Sequence, residues 1–271
     1  MPPALQGISG RVTNPSTTFT ALTANTGDSY VVKNFVSGRA YILNAWTKEG
    51  TVGDLRVRSP LLHEFTQGIR LRTPLVNKCR PLLPFFAQQP LQAQDSLTVE
   101  MTGGAAETDS GTLLVYYEDL LGGGASFISP QEADSRILHE LGLEIAVTSG
   151  GTAGQYGGTA AINASFNILK ANTAYAILGY TVDTEMANIG IFGPDTSNLR
   201  ISVPGSTDAY LTSNWFYALS MASGIPLIPV INSANAGNTS VDVIDTTTGT
   251  SLNVTLILAQ LSGAPPAPST A

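Results

Sequence analysis

The chain has 271 residues, enough for two domains or one large domain with an ample core. Its net charge of −7 argues against a nucleic-acid-binding face, because neutralising phosphates takes clustered Lys and Arg. Only 12% of residues are charged against 43% hydrophobic, which leads us to expect much of the surface to be hidden against copies of the same chain.

The charge is unevenly split. Residues 1–120 hold ten basic and ten acidic side chains, whereas 121–271 hold three basic and ten acidic. One cysteine, Cys79, excludes an intramolecular disulfide, and a lone thiol reads as inert packing. The opening Met1-Pro2-Pro3-Ala4-Leu5 lacks the regions of a signal peptide, and no run approaches the ~20 apolar residues of a membrane span. A soluble chain made in the cytoplasm is expected.

Residues 1–16, with Pro2, Pro3, Gly7, Gly10 and Pro15, read as an N-terminal arm without regular structure. Strands are then predicted at 17–23, 30–36, 40–47, 54–59, 69–73, 82–86, 96–102 and 112–117. Two of them alternate strictly: Leu55 and Val57 against Arg56 and Arg58, then Ile69 and Leu71 against Arg70 and Arg72. Such period-2 patterning marks half-buried strands. About eight strands at short, regular spacing point to a sandwich or jelly roll and exclude a βαβ plan.

Gly122-Gly123-Gly124 reads as a hinge, followed by a helix predicted over 130–141. Ser129 is its N-cap, Pro130 its first residue, Glu132 completes a capping box, and Gly142 ends it. A second flexible run, 149–158, precedes strands predicted near 162–169, 174–181, 188–192, 198–203, 215–220, 226–231, 239–244 and 252–260. The Pro-rich end, 263–271, cannot build a core.

The two strand sets carry an internal repeat. Leu55-Arg56-Val57-Arg58-Ser59-Pro60 resembles Leu199-Arg200-Ile201-Ser202-Val203-Pro204, and Pro81-Leu82-Leu83-Pro84 resembles Pro226-Leu227-Ile228-Pro229. The strand ending at Leu120 is echoed by the one ending at Leu261, Ala40-Tyr41 by Ala174-Tyr175, and the segment 108–111 by the turn 246–249. Ordered matches at one spacing signal a duplicated unit. The expected fold class is therefore all-β: two tandem eight-stranded β-sandwich domains of jelly-roll type, joined by a short α-helical linker. The expected boundaries are an arm at 1–16, a first domain at 17–121, a linker at 122–158, a second domain at 159–262 and a tail at 263–271.

Chemistry has little foothold. His63 and His139, expected on a loop and on the helix, have no second ligand at metal spacing. No P-loop, G-x-S-x-G elbow, G-x-G-x-x-G or C-x-x-C pattern occurs. No enzyme activity, cofactor or metal is expected. Glu118 and Asp119 are adjacent in a strand and point apart, and Asp183 with Glu185 reads as a solvated turn sooner than a Ca²⁺ site. Trp46, Phe85, Phe86, Trp215, Phe216 and Tyr217 fit core packing better than a sugar-binding shelf. The polar feature that stands out is Arg56, Arg58, Arg70 and Arg72. On neighbouring strands they would cluster four guanidinium groups on one face, either forking onto carboxylates of a neighbouring copy or held by local ion pairs.

With the repeat, the linking helix and the missing catalytic cluster, the chain resembles the double jelly-roll major capsid proteins of tailless icosahedral viruses. The likeness is architectural, spans roughly 17–261 and rests on the repeated stretches quoted above; no signature motif accompanies it. It implies a structural virion protein located in the capsid and synthesised in the host cytoplasm. It further implies a homotrimer forming a pseudo-hexagonal tile in contact with neighbouring trimers, with room for vertex proteins and for an internal membrane at the termini. The alternative is a tandem carbohydrate-binding or adhesion module, such as a phage receptor-binding or decoration protein, which would need an exposed aromatic shelf. A glycosidase-like double sandwich would need paired carboxylates in a cleft.

Overall fold

The computed structural model describes residues 2–36, 38–62, 67–73, 76–82 and 89–264. The first half contains β1 (Ala4–Thr13), β2 (Thr20–Ala21), β3 (Thr23–Ala24), β4 (Ala40–Lys48), β5 (Asp54–Arg58), β6 (Ile69–Arg72), β7 (Arg80–Pro81), β8 (Gln89–Leu91), β9 (Thr98–Met101) and β10 (Thr108–Tyr117). One sheet runs β3-β1-β10-β4-β7 with β8 also on β4, and the facing sheet runs β2-β9-β5-β6. The second half contains β11 (Phe127–Ile128), α1 (Pro130–Arg136), β12 (Ile137–Thr148), β13 (Ala160–Ala161), β14 (Ala174–Val182), β15 (Asn188–Phe192), β16 (Ile201–Val203), α2 (Ala209–Thr212), α3 (Trp215–Ser223), β17 (Ile228–Asn232), β18 (Ser240–Ile244) and β19 (Ser251–Leu261). Its sheets run β11-β17-β14-β19-β12 and β13-β18-β15-β16.

The two halves share one strand order. β1, β10, β4 and β7/β8 correspond to β12, β19, β14 and β17; β2, β9, β5 and β6 correspond to β13, β18, β15 and β16. Each half is a jelly-roll sandwich, the all-β arrangement in which paired Greek keys close around one core. The repeat seen in the sequence is real in place for Ala40-Tyr41 and Ala174-Tyr175, which open β4 and β14. The match of Leu120 with Leu261 is three residues off, because Tyr116 pairs with Tyr41 where Gln260 pairs with Tyr175, and β10 ends at Tyr117. The Leu55 and Leu199 stretches are not equivalent. β5 corresponds to β15 and β6 to β16, so that match slipped by one strand; alternation followed by proline marks any half-buried strand, not one position in a roll. Likewise 108–111 begins β10, while 246–249 is a turn.

Several elements correct the sequence reading. The expected arm holds β1, paired along its length with β10 from Ala4–Tyr117 to Thr13–Thr108. Its glycines are there for close packing: a Cβ on Gly7 would lie 2.0 Å from that of Ser202, and one on Gly10 would lie 2.1 Å from the Tyr30 hydroxyl. The expected helix over 130–141 stops at Arg136. Ser129 Oγ accepts from the Glu132 amide at 3.1 Å, as the capping box requires, but from Ile137 the chain is strand β12. Leu143, Ile145 and Val147 alternate inward, and pairing with β19 satisfies the backbone; His139 lies in this strand. The segment 215–220 is helix α3, 162–169 lies outside the strands, and 30–36 makes only isolated bridges at Val31 and Phe35. Most of the strand expected at 82–86, His63, Phe85, Phe86 and residues 265–271 lie outside the described residues.

The sheet holding β1, β10 and β4 is buried on both faces. Ile8, Ile42, Leu113, Val115 and Tyr117 face the first roll's own core. Leu5, Leu43, Trp46, Leu114 and Tyr116 face away and join the core of the second roll. There β1 lies beside β16, with the Gly7 amide donating to the Arg200 carbonyl at 2.9 Å. Trp46 meets Trp215 of α3 edge-on, at 6.2 Å between ring centroids and 87° between planes. In the second roll the corresponding face of β14 is covered by α2 and α3, whose Thr212 and Ser213 carbonyls approach Gly179 so closely that a Cβ there would lie 2.4 Å away.

Truncating Trp46 removes a fully buried side chain from this junction. The W46A protein is expected to lose about 3–5 kcal/mol of stability, measured by denaturant unfolding.

Candidate functional site

Two surfaces and one junction concentrate the polar chemistry. The first surface is the outward side of β5, β6 and β9. Register places Glu100 opposite Arg56, Arg56 opposite Arg70, and Asp54 opposite Arg72. The four arginines singled out in the sequence therefore do share one face. Arg56 Nε reaches Glu100 at 2.8 Å, and Arg58 reaches it through Nε and Nη2, both at 2.7 Å. Arg70 Nη2 lies 2.5 Å from Asp54, and Arg72 lies 3.9 Å from it. The Arg56 guanidinium sits 3.8 Å above the centroid of the Phe19 ring. Burial alone would raise the Glu100 pKa, but Arg58 and Arg56 reverse that and hold it below the usual carboxylate range. Arg56 and Arg58 are thus largely engaged within the chain. The Arg72 side chain is 73% exposed and that of Arg70 54%, so these two present the face's outward charge.

The second surface is its counterpart of opposite sign. Along β12, Glu140, Glu144, Ala146 and Thr148 alternate outward, flanked on β19 by Ser251, Asn253, Thr255 and Ile257. Among the described residues Glu140 and Glu144 make no ion pair within 4.0 Å. A groove of about 450 Å³ runs from this strip to α3, lined in part by Asp134, Ile137, Glu140, Tyr217 and Ile257.

The junction between rolls holds the ions that the sequence reading missed. Lys48 Nζ donates to Asp245 at 2.5 Å and to the Glu185 carbonyl at 2.8 Å. The Glu185 carboxylate accepts from the Cys79 amide at 2.7 Å, from Arg80 at 3.2 Å and from the Thr207 hydroxyl at 2.6 Å. Burial opposes ionisation of Glu185, but the Thr207 and Cys79 donors and Arg80 outweigh it and lower its pKa. The expected solvated turn is therefore an inter-roll ion-pair hub, and Asp183 instead accepts from Asn253. Cys79 is buried; desolvation pushes its thiol pKa up, and Sγ donates to the Ala187 carbonyl at 3.2 Å. That environment keeps it an unreactive thiol.

Beside this hub, the run 149–158, expected to be flexible, is a strap across both rolls. Arg11 donates to the Ala153 carbonyl at 2.7 Å, and the Tyr156 hydroxyl donates to Asp28 at 3.1 Å. Arg200 stacks 4.0 Å over the Tyr156 ring and donates to Asp242 at 2.8 Å. Burial raises both Asp28 and Asp242 to about 6, against the pull of Arg200. A trace of this was visible in the sequence, where Asp242 interrupts the apolar strand Ser240–Ile244. Gly122-Gly123-Gly124 is pinned as well, with Ser197 Oγ accepting from the Gly124 amide at 2.9 Å and donating to its carbonyl at 2.8 Å.

Glu118 and Asp119 accept from the Arg39 and Gly38 amides, so both are occupied in holding the chain before β4. Among the described residues no three His, Cys, Asp or Glu side chains are placed to hold a metal ion. Trp46, Trp215 and Phe216 are fully buried, and Tyr217 donates to Asp134 at 3.0 Å.

No protein-family model matches the chain, and no curated protein matches its sequence. Among solved structures it is similar to the PBSX exported protein XepA, at 10% identity over 94% of this chain and 86% of that one, with a TM-score of 0.28. It is similar also to the STIV MCP, at 10% identity over 97% and 88% with a TM-score of 0.20. A third is the atomic structure of Sulfolobus Turreted Icosahedral Virus, at 9% identity over 96% and 83% with a TM-score of 0.22. At TM-scores this low the likenesses carry no argument, and the fold assignment stands on the strand order of the two rolls.

Replacing Arg200 by Met strands the buried Asp242 without its cation. R200M is expected to cost about 3 kcal/mol near neutral pH. Without Arg200 the folded-state pKa of Asp242 moves further above its unfolded value, so the deficit should shrink as pH falls toward about 5 and the carboxyl protonates. Denaturant unfolding of R200M and wild type at several pH values reads this directly.

Proposed function

We propose that this chain is a structural shell protein, the major capsid protein of an icosahedral virion, assembling as a homotrimer whose six jelly rolls form a pseudo-hexagonal tile. The observation that carries the reading is how the two rolls meet. The larger sheet of the first roll packs, through β1, on β16 of the smaller sheet of the second. This contact is heterologous: two different faces of one duplicated unit are joined. It leaves without an inter-roll partner the smaller sheet of the first roll and the part of the second roll's larger sheet that α2 and α3 do not cover, the outward side of β12 and β19. A heterologous contact that closes makes a ring, and three chains of two rolls fill six places.

The charges on the unused faces favour the same pairing. The free face of the first roll carries Arg70 and Arg72 outward, and that of the second carries Glu140 and Glu144. Paired between neighbouring chains, the two strips are complementary in sign, which orients an encounter and disfavours like-on-like docking. The apolar composition of the chain suits extensive self-contact. In this reading the protein binds copies of itself and further shell components, acts without a cofactor, and resides in the virion. A glycan-binding module is less well supported, because the tryptophans that would form its shelf are in the core.

The mass of the purified protein, measured by light scattering across concentration and ionic strength, tests the proposal. A trimer, or growth into sheets or shells, is the expected result, and a monomer at high concentration overturns it. The double variant E140K/E144K is expected to weaken assembly at least tenfold, and adding R70E/R72E to it should restore much of the loss.

A further inference from the structure

At one end of the first roll, the turn after β4 and the turn between β9 and β10 bring three carboxyl groups together: Glu49, Glu107 and Asp109. Glu49 and Asp109 are 1% and 0% exposed, while Glu107 is half-buried. Glu107 accepts from the Gly104 amide at 2.5 Å and from the Thr51 hydroxyl at 3.1 Å. Asp109 Oδ1 accepts from the Gly50 amide at 3.2 Å, and Glu49 Oε1 from the Thr47 hydroxyl at 3.3 Å. The remaining oxygens, Asp109 Oδ2 and Glu49 Oε2, are buried without a hydrogen-bond partner among the described residues. The Thr73 hydroxyl, which donates to the Gly53 carbonyl at 2.9 Å, is near enough to Glu49 to offset its burial in part. Asp109 Oδ2 and Glu107 Oε1 converge on Gly103, where a Cβ would lie 2.3 and 3.0 Å from them.

Among the described residues no cation pairs with this group. The neighbouring charges are Asp54, already held by Arg70 and Arg72, and Lys48, which is turned to Asp245. Three ionised carboxylates packed this way, two of them out of water, would repel one another and leave oxygens unpaired. Protons resolve both problems, since a protonated Asp109 can donate to Glu107 in a carboxyl–carboxylate hydrogen bond. The electrostatics agree. Burial, then Glu107 and Glu49, push Asp109 up to about 8, and burial, with Glu107 and Asp54 adding to it, pushes Glu49 up to about 7.

We propose that Glu49, Glu107 and Asp109 form a proton-retaining latch that ties the β4–β5 and β9–β10 turns together and lets them part when its protons are lost. The latch is independent of what the protein assembles into. Its sign follows from linkage. Carboxyls that ionise near 4 in the unfolded chain keep their protons in the fold, so stability declines as pH rises and levels off only above the folded pKa values. Asp28 and Asp242, raised to about 6, do most of their titrating below the window in which Glu49 and Asp109 ionise.

Thermal unfolding of the purified protein between about pH 6.5 and about pH 9 tests this, with D109N and E107Q beside the wild type. The wild-type Tm is expected to fall by about 5 °C or more across this range, and the fall should shrink by at least half in D109N, whose amide can still donate to Glu107. Equal falls in wild type and D109N overturn the latch. So does a wild-type Tm that calcium chloride restores at the alkaline end, since that result makes the cluster a cation site. If D109N does not fold, infrared spectroscopy of the wild type decides: a protonated-carboxyl band that persists at neutral pH and vanishes in alkali supports the latch, and its absence at neutral pH overturns it.

Discussion

The sheet formed by β1, β10 and β4 is buried on both faces, and much of the remaining structure follows from that constraint. A jelly-roll sheet ordinarily shows one face to its own core and the other to solvent, so its strands alternate. Here the second face carries Leu5, Leu43, Trp46, Leu114 and Tyr116, and these residues complete the second roll's core. The rolls therefore share buried apolar surface, and hydrophobic burial holds the pair in one geometry. Gly7 belongs to the same constraint, because any side chain there would collide with Ser202 and push β1 off β16.

The few ionic groups of this charge-poor chain are set where burial forces them to be matched. Lys48, Arg80, Arg11 and Arg200 each bind a partner from the other half of the sequence or hold a residue that does. Half-buried pairs of this kind add less net stability than their short distances imply, since desolvation offsets attraction. Their effect is on geometry: removing one partner is costly, so the register of one roll on the other is well defined. Where no cation is at hand, burial raises the carboxyl pKa instead, as at Glu49 and Asp109.

The two rolls share a topology but differ in what covers each sheet. The first roll's larger sheet is capped by the second roll, whereas the second roll's is capped partly by α2 and α3 and otherwise open. The first roll's smaller sheet bears a guanidinium cluster, whereas in the second roll's the edge strand β16 is buried beside β1. The uneven charge along the sequence maps onto this difference. Glu140 and Glu144 of the second half sit on the strip of β12 and Glu185 and Asp245 in the inter-roll hub, while Arg56, Arg58, Arg70 and Arg72 of the first half sit on β5 and β6.

The sequence by itself determined the all-β class, the duplication and the common face of Arg56, Arg58, Arg70 and Arg72, because strand alternation and turn residues are local signals with a fixed period. It also determined the N-cap at Ser129, another local feature. Tertiary structure decided what depends on distant partners. β1 reads as an arm because its glycines look like breakers until Ser202 and Tyr30 are seen against them. The helix gives way to β12 at Ile137 because β19 offers a full-length ladder, and Trp215–Ser223 coils because it must roof β14. The slipped repeat, the hub around Glu185 and the carboxyl cluster at Asp109 were likewise invisible. Each depends on residues dozens to more than a hundred positions apart meeting out of water, and no local pattern encodes that encounter.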